Sequence, residues 1–360
     1  MYFTKLSFYL FCLGILSVRI VLAVDIGVDT TINANSTERH TITDGNVTLT
    51  NNADIILASD GTNGTIISTQ TGTTIINNAG ATIGLTGNND GTVSFTSATN
   101  PTLINSGTVS VEDGRALSFQ QTTGAVFTNN AGGVLTAGRS TIRCVTSCAN
   151  TTITNSGSII ATGTGSSVAI LMDRSAGLIL TNNADGEIKG ITGRVIVLND
   201  SGTFTNSGLI RALDADGKLV LSDAAAVIKF DGTNTTVLLK DKGIVVGTIS
   251  NSDNNAGSKL HVQHGYGRSY MYQTLGELEL ADLSGNRIVK GSATSVGMGA
   301  QETVDEILGQ RAYNLRTTLK RYANVSDPKP RMEPFAYVSH RNDGRTTLGY
   351  DNNAYGTNFI

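Results

Sequence analysis

Seven copies of one short phrase constrain this chain more than any other feature. They are Leu49-Thr-Asn-Asn-Ala, Ile75-Ile-Asn-Asn-Ala-Gly, Leu103-Ile-Asn-Ser-Gly, Phe127-Thr-Asn-Asn-Ala-Gly, Ile153-Thr-Asn-Ser-Gly, Leu180-Thr-Asn-Asn-Ala-Asp-Gly and Phe204-Thr-Asn-Ser-Gly. Their lead asparagines are Asn51, Asn77, Asn105, Asn129, Asn155, Asn182 and Asn206, separated by 26, 28, 24, 26, 27 and 24 residues. A fixed period of this length marks a repeat architecture in which each unit leans on its neighbours. Two residues before the asparagine the side chain is always apolar, as on the inward face of a strand. Asn and Gly tolerate positive φ, so the phrase reads as a corner that begins at or just before the asparagine. After it an aliphatic returns at +4 (Val109, Ile159, Ile210) or at +6 (Ile83, Leu135, Ile188). The two lengths differ by an even number, which keeps the inward parity of the next strand.

These features predict an all-β fold, a parallel β-helix of about 26 residues per coil, with internal aliphatic columns and asparagine side-chain ladders. A propeller is the competing architecture, but a blade needs ~40 residues and usually carries aromatic signatures. Composition agrees: 41 glycines, 4 prolines, no Trp and 39% hydrophobic residues suit many short strands joined by tight turns. Further segments at 218–220, 226–230, 236–239 and 243–249 extend the expected coils. A polar break follows, then a Tyr-richer segment read as a cap covering 251–300. Only 15% of residues are charged and the net charge is −3, so nucleic acid is not an expected partner.

The first 23 residues read as a signal peptide. Lys5 precedes an apolar run from Leu6 to Val18, and Val21-Leu22-Ala23 offers small residues for cleavage. The run is short for a transmembrane helix, which needs ~20 apolar residues. Export makes a disulfide between Cys144 and Cys148 the expected state of these two residues, a local staple closing a tiny loop of small stabilisation.

Near residue 303 the period becomes helical. Val304, Leu308, Ala312, Leu315, Leu319 and Tyr322 form one stripe, and Thr303 with Glu306 form a capping box. Pro328 and Pro330 end that region, expected to hold a linker helix within 301–325. Two extended segments follow within 331–360, one at Met332–His340 and one beginning Gly349-Tyr-Asp-Asn-Asn-Ala-Tyr-Gly, with a turn at Asn342-Asp-Gly between them. This order resembles the autotransporter (type V secretion) family: signal peptide, solenoid passenger (24–250), junction, linker helix, then the start of an outer-membrane β-barrel. The resemblance implies that the helix threads a barrel lumen and that the passenger has an adhesin-like role at the cell surface or after release. Partners would then be the outer membrane, through a complete barrel, and a host or neighbouring cell. Two strands fall short of the eight that the smallest such barrel needs, so the barrel is expected to be truncated, the product a fragment or remnant, and the passenger held in the periplasm in that case.

Little in the sequence points to chemistry, and no cofactor or catalytic residue is expected. No Gly-x-Ser-x-Gly elbow occurs, and the four histidines are His40, His261, His264 and His340. His261 and His264 read as a surface pair rather than a metal site. Asp214-Ala-Asp-Gly reads as an ordinary turn lacking the rest of a calcium loop. A polysaccharide lyase on a β-helix is the enzymatic alternative, and it would need clustered Asp residues with a base, whereas the acids here are scattered along the sequence.

Overall fold

A computed structural model describes residues 23–58, 64–89, 91–163, 167–191, 194–219, 226–289 and 292–296, helical residues between 308 and 320, and the strands Phe335–Arg341 and Asn352–Asn358. The expected signal peptide lies outside the described residues except for Ala23. The main body has three strands per coil, repeated as a parallel β-solenoid with roughly 26 residues per coil. The parallel coil-to-coil pairing excludes a propeller.

Each coil visits three faces in turn. The first face carries the strands that end in the lead asparagines, such as Thr48–Asn51 and Thr74–Asn77, within an 11-stranded ladder. The second carries strands such as Asp54–Ala58 and Val134–Ala137. The third carries Arg39–Ile42, Ile66–Ser68, Ser140–Cys144 and their counterparts. The 13-residue strand Thr108–Gln120 runs across the second and third faces, with a register shift between Val111 and Asp113.

The pleat sends alternate side chains inward, and registry stacks them into columns. On the first face Leu49, Ile75, Leu103, Phe127, Ile153 and Leu180 stack in register and are fully buried. On the second, Ile83, Val109, Leu135, Ile159, Ile188 and Ile210 do the same. The +4 and +6 corners therefore deliver their aliphatics to one column, as parity requires. On the third face Phe95 and Phe119 stack with ring centroids 5.9 Å apart. Above them stand Cys144, Met172, Leu198 and Phe230. Burying one such side chain contributes about 1.5–3 kcal/mol, but only because the next coil covers it.

The first-face ladder runs on past residue 250, through Lys259–Gln263 to Glu279–Asp282. Beside it Tyr270–Tyr272 pairs antiparallel with Ala293–Ser295, a departure from the solenoid pattern. Of the extra segments expected as coils, the stretch at 218–220 is not one in its described part, 218–219, and residue 220 lies outside the described residues. Leu219 bridges antiparallel to Leu213 within a protruding loop, and the loop lengthens this coil to 33 residues between Phe204 and Val237. At the C-terminal end, Phe335–Arg341 and Asn352–Asn358 pair as an antiparallel hairpin. The expected helix start at Val304 and its cap lie outside the described residues. The stripe residues Leu308, Leu315 and Leu319 are exposed, and no described helix is long and apolar enough to cross a membrane.

Candidate functional site

The lead asparagines are not at the surface. Each is the last residue of its strand, faces inward beside the apolar column and is fully buried. The corner therefore begins after the asparagine, not at or before it, and none of the seven has positive φ. Their role is hydrogen bonding. Asn51 Nδ2 donates to Asn77 Oδ1 at 2.9 Å, and Asn77 donates to Asn105 at 2.8 Å. Asn105, Asn129, Asn155 and Asn182 each donate to the next asparagine at 2.8 Å, ending on Asn206. From Asn77 to Asn206 each Nδ2 also reaches a carbonyl of its own corner, at Gly107, Gly157 and Gly208 in the short version and at Ala81, Gly133 and Gly186 in the long one, while Asn51 Nδ2 reaches Thr82 O on the next coil. A buried amide without partners would cost about 1–3 kcal/mol per group, and here each is satisfied. Ile32 and Leu239 occupy the position below and above the ladder.

A second column escapes sequence reading. Five residues before six of the seven lead asparagines stand Asn46, Gly72, Asn100, Gly124, Asn150 and Gly177, all with φ between 52° and 77°. Their amides bond coil to coil, for example Asn100 N to Thr123 O and Gly124 N to Ala149 O. The alternation has a steric cause: a Cβ on Gly72, Gly124 or Gly177 would collide with Oδ1 of Asn46, Asn100 or Asn150. The constant offset from the lead asparagines was the available signal.

The third face gathers acids that are far apart in sequence. Asp173, Asn199 and Asp231 directly follow Met172, Leu198 and Phe230, which stack on successive coils. Arg143 approaches Asp173 at 3.6 Å, Asn199 donates to Asp173, and Lys229 contacts Asp231 and lies 3.3 Å from Asp253. Burial, opposed by the Arg143 charge, pushes the Asp173 carboxyl up from its ordinary value. The hydrogen bond with Asp231 pushes the Lys229 ammonium up. The expectation of scattered acids is thus corrected: stacking brings three together with two bases.

Near the antiparallel pair, His264 is buried rather than forming a surface pair with His261. Its Nδ1 lies 2.9 Å from the Asp241 carbonyl, which only accepts, so Nδ1 carries the proton. Nε2 then accepts from the Tyr272 hydroxyl at 2.6 Å. Burial lowers the His264 pKa and raises that of Tyr272 to about 12. Tyr270 donates to Asp282 at 2.7 Å. Asp214 accepts the amides of Asp216 and Lys218, an ordinary turn. Cys144 and Cys148 form a disulfide inside the core. No cluster of three or more potential metal ligands occurs among the described residues.

Comparison with protein-family models, curated proteins and solved structures finds no match to this chain.

What remains is the outside of the first face. Its outward positions alternate with the buried column, and from Thr48 to Leu238 none is charged. The pairs Thr48 with Thr50, Thr152 with Thr154 and Thr203 with Thr205 stand on their strands as Thr-x-Thr. The second face differs: there Glu187 pairs with Lys189 at 3.2 Å and with Arg211 at 2.5 Å.

Proposed function

We infer that this protein is an exported, autotransporter-type passenger with an adhesin-like binding or structural role rather than an enzyme. The observation that carries the reading is the first face, a long, flat, uncharged surface whose threonine hydroxyls bond to nothing among the described residues. A surface of that kind binds by summing many weak contacts. The exported context rests on the resemblance: the N-terminal apolar run, the helical stripe and the Gly349-Tyr350-Asp351 strand pair. On this reading the chain acts at the outer membrane, on the cell surface or after release. The β-solenoid fold and the antiparallel C-terminal hairpin are compatible with it. Purified chain should bind intact cells or extracellular matrix saturably, and no binding above a denatured control would count against the role.

The third-face cluster favours one second reading, cleavage of an acidic polysaccharide. Each carboxylate there already faces a cation or an amide, which is how a structural network is built. Release of unsaturated sugars from polygalacturonate, lost in Asp231→Asn, would establish the enzyme instead.

A further inference from the structure

The first face repeats in two dimensions. Along the stack the coils lie about 4.8 Å apart, and along each strand the outward positions lie about 6.7 Å apart. Eight coils, from the strand Thr48–Asn51 to the strand Thr235–Lys240, present two such positions each up to Leu238, and the outward Lys240 and Lys259 bound the array at its C-terminal end. Threonine fills eleven of the sixteen. The other five are Ile76, Ile104, Val126, Ile179 and Leu238, also uncharged and four of them β-branched. The array is about 34 Å long. Behind it the asparagine ladder and the fully buried apolar column hold every strand in register, so the lattice is fixed by the core.

The chemistry of this face lacks the usual anchors of several partner classes. Protein hot spots favour Trp, Tyr and Arg, and none stands in the array. Sugar rings are gripped by aromatic faces, absent here for the same reason. Nucleic acid and anionic lipid need Lys or Arg. The partner this face fits best is uncharged, rigid, flat and periodic, offering hydrogen bonds at a fixed spacing and room for methyl groups between them. Water in hexagonal ice has these properties. Oxygen rows on its prism face repeat at two lengths close to the coil and Thr-x-Thr spacings. A charged group, which holds its own hydration shell, would not fit that lattice.

We propose that the threonine face binds ice, each hydroxyl joining the oxygen lattice and each methyl seating between rows. The assignment rests on the reading of this face as the binding surface and names its partner. Ice-affinity partitioning of the dye-labelled full chain, onto a slowly growing cold finger, tests it. Wild-type protein is expected to be more concentrated in the ice than in the liquid, several-fold over an ordinary protein of similar size, which growing ice rejects. The variant Thr128→Tyr/Thr154→Tyr, at the centre of the face, should fall to the rejected level with unchanged circular dichroism. Thr136→Tyr on the second face should partition like wild type. If the tyrosines unfold the coil, Thr128→Ser/Thr154→Ser removes only methyls and should still lower the ratio. Rejection of the wild type overturns the proposal, and so does equal loss in Thr136→Tyr. Rejection from ice with retained binding to cells would overturn the ice partner alone, whereas failure of both would remove the binding face itself.

Discussion

At the scale of single residues, the buried asparagines and the alternating corner make the sharpest claims. Removing Asn129 leaves Asn105 without its acceptor and Asn155 without its donor. Two groups at about 1–3 kcal/mol each put the cost of Asn129→Ala at roughly 2–6 kcal/mol in urea unfolding. Asn206→Leu should cost less than half as much. Within the ladder it orphans only the contact from Asn182, and Leu239 already stands above it. A similar cost at both positions would argue that the ladder is not what holds the column. Glycines allow a second contrast. Gly132 has φ 82° with open space where a Cβ would go, so Gly132→Ala carries only the left-handed penalty of about 1–2 kcal/mol. Gly124→Ala adds the collision with Asn100 and should lose distinctly more stability in the same measurement. The lead asparagines were legible in the sequence as a repeat but not as core. Asparagine is a turn residue by habit, and only the facing amide of the next coil makes its burial affordable.

At the scale of strands and corners, parity governs. Deleting residues 130–155 joins Asn129 to Ser156 and keeps a short corner, so the shortened chain should retain its far-ultraviolet circular dichroism per residue and still melt cooperatively. Deleting 131–155 leaves one residue too many, turns the next strand inside out, and should abolish that melting transition. Equal behaviour of the two would refute the register rule. The disulfide contributes less than its burial suggests. With a sequence separation of 4, its chain-entropy effect is about 2 kcal/mol, against about 3 for a fifteen-residue loop. The two corner lengths were readable because aliphatics at +4 and +6 name their own parity. The third-face cluster was not readable, because Arg143, Asp173, Asn199 and Asp231 become neighbours only through exact coil lengths that vary from one repeat to the next. Nor was the 214–219 loop: Lys218 and Leu219 carry the composition of a strand, and an antiparallel bridge back to Leu213 uses it locally.

At the scale of the whole molecule, stability depends on pH through two histidines buried at opposite ends of the solenoid. Burial lowers both His40 and His264 below the ordinary 6.5. Between their folded values and 6.5 the unfolded chain binds more protons, so stability is complete above 6.5 and falls as the pH drops through that window. Thermal melts from pH 7.5 downward should show Tm declining, and His264→Phe should flatten part of the decline. A steeper decline in the variant would reverse the sign assigned here. The stack also has a direction. All six amide links of the ladder donate toward the C-terminal end, from Asn51 through to Asn206. An amide column open at both ends would accept another copy of itself end to end, as the stacked amides of a fibril do. Ile32 at one end and Leu239 at the other offer neither donor nor acceptor. The ladder thus closes inside the stack: Leu239 is itself covered by Val262 and then Asp282 on the next two coils, so no open amide end faces another copy on that side.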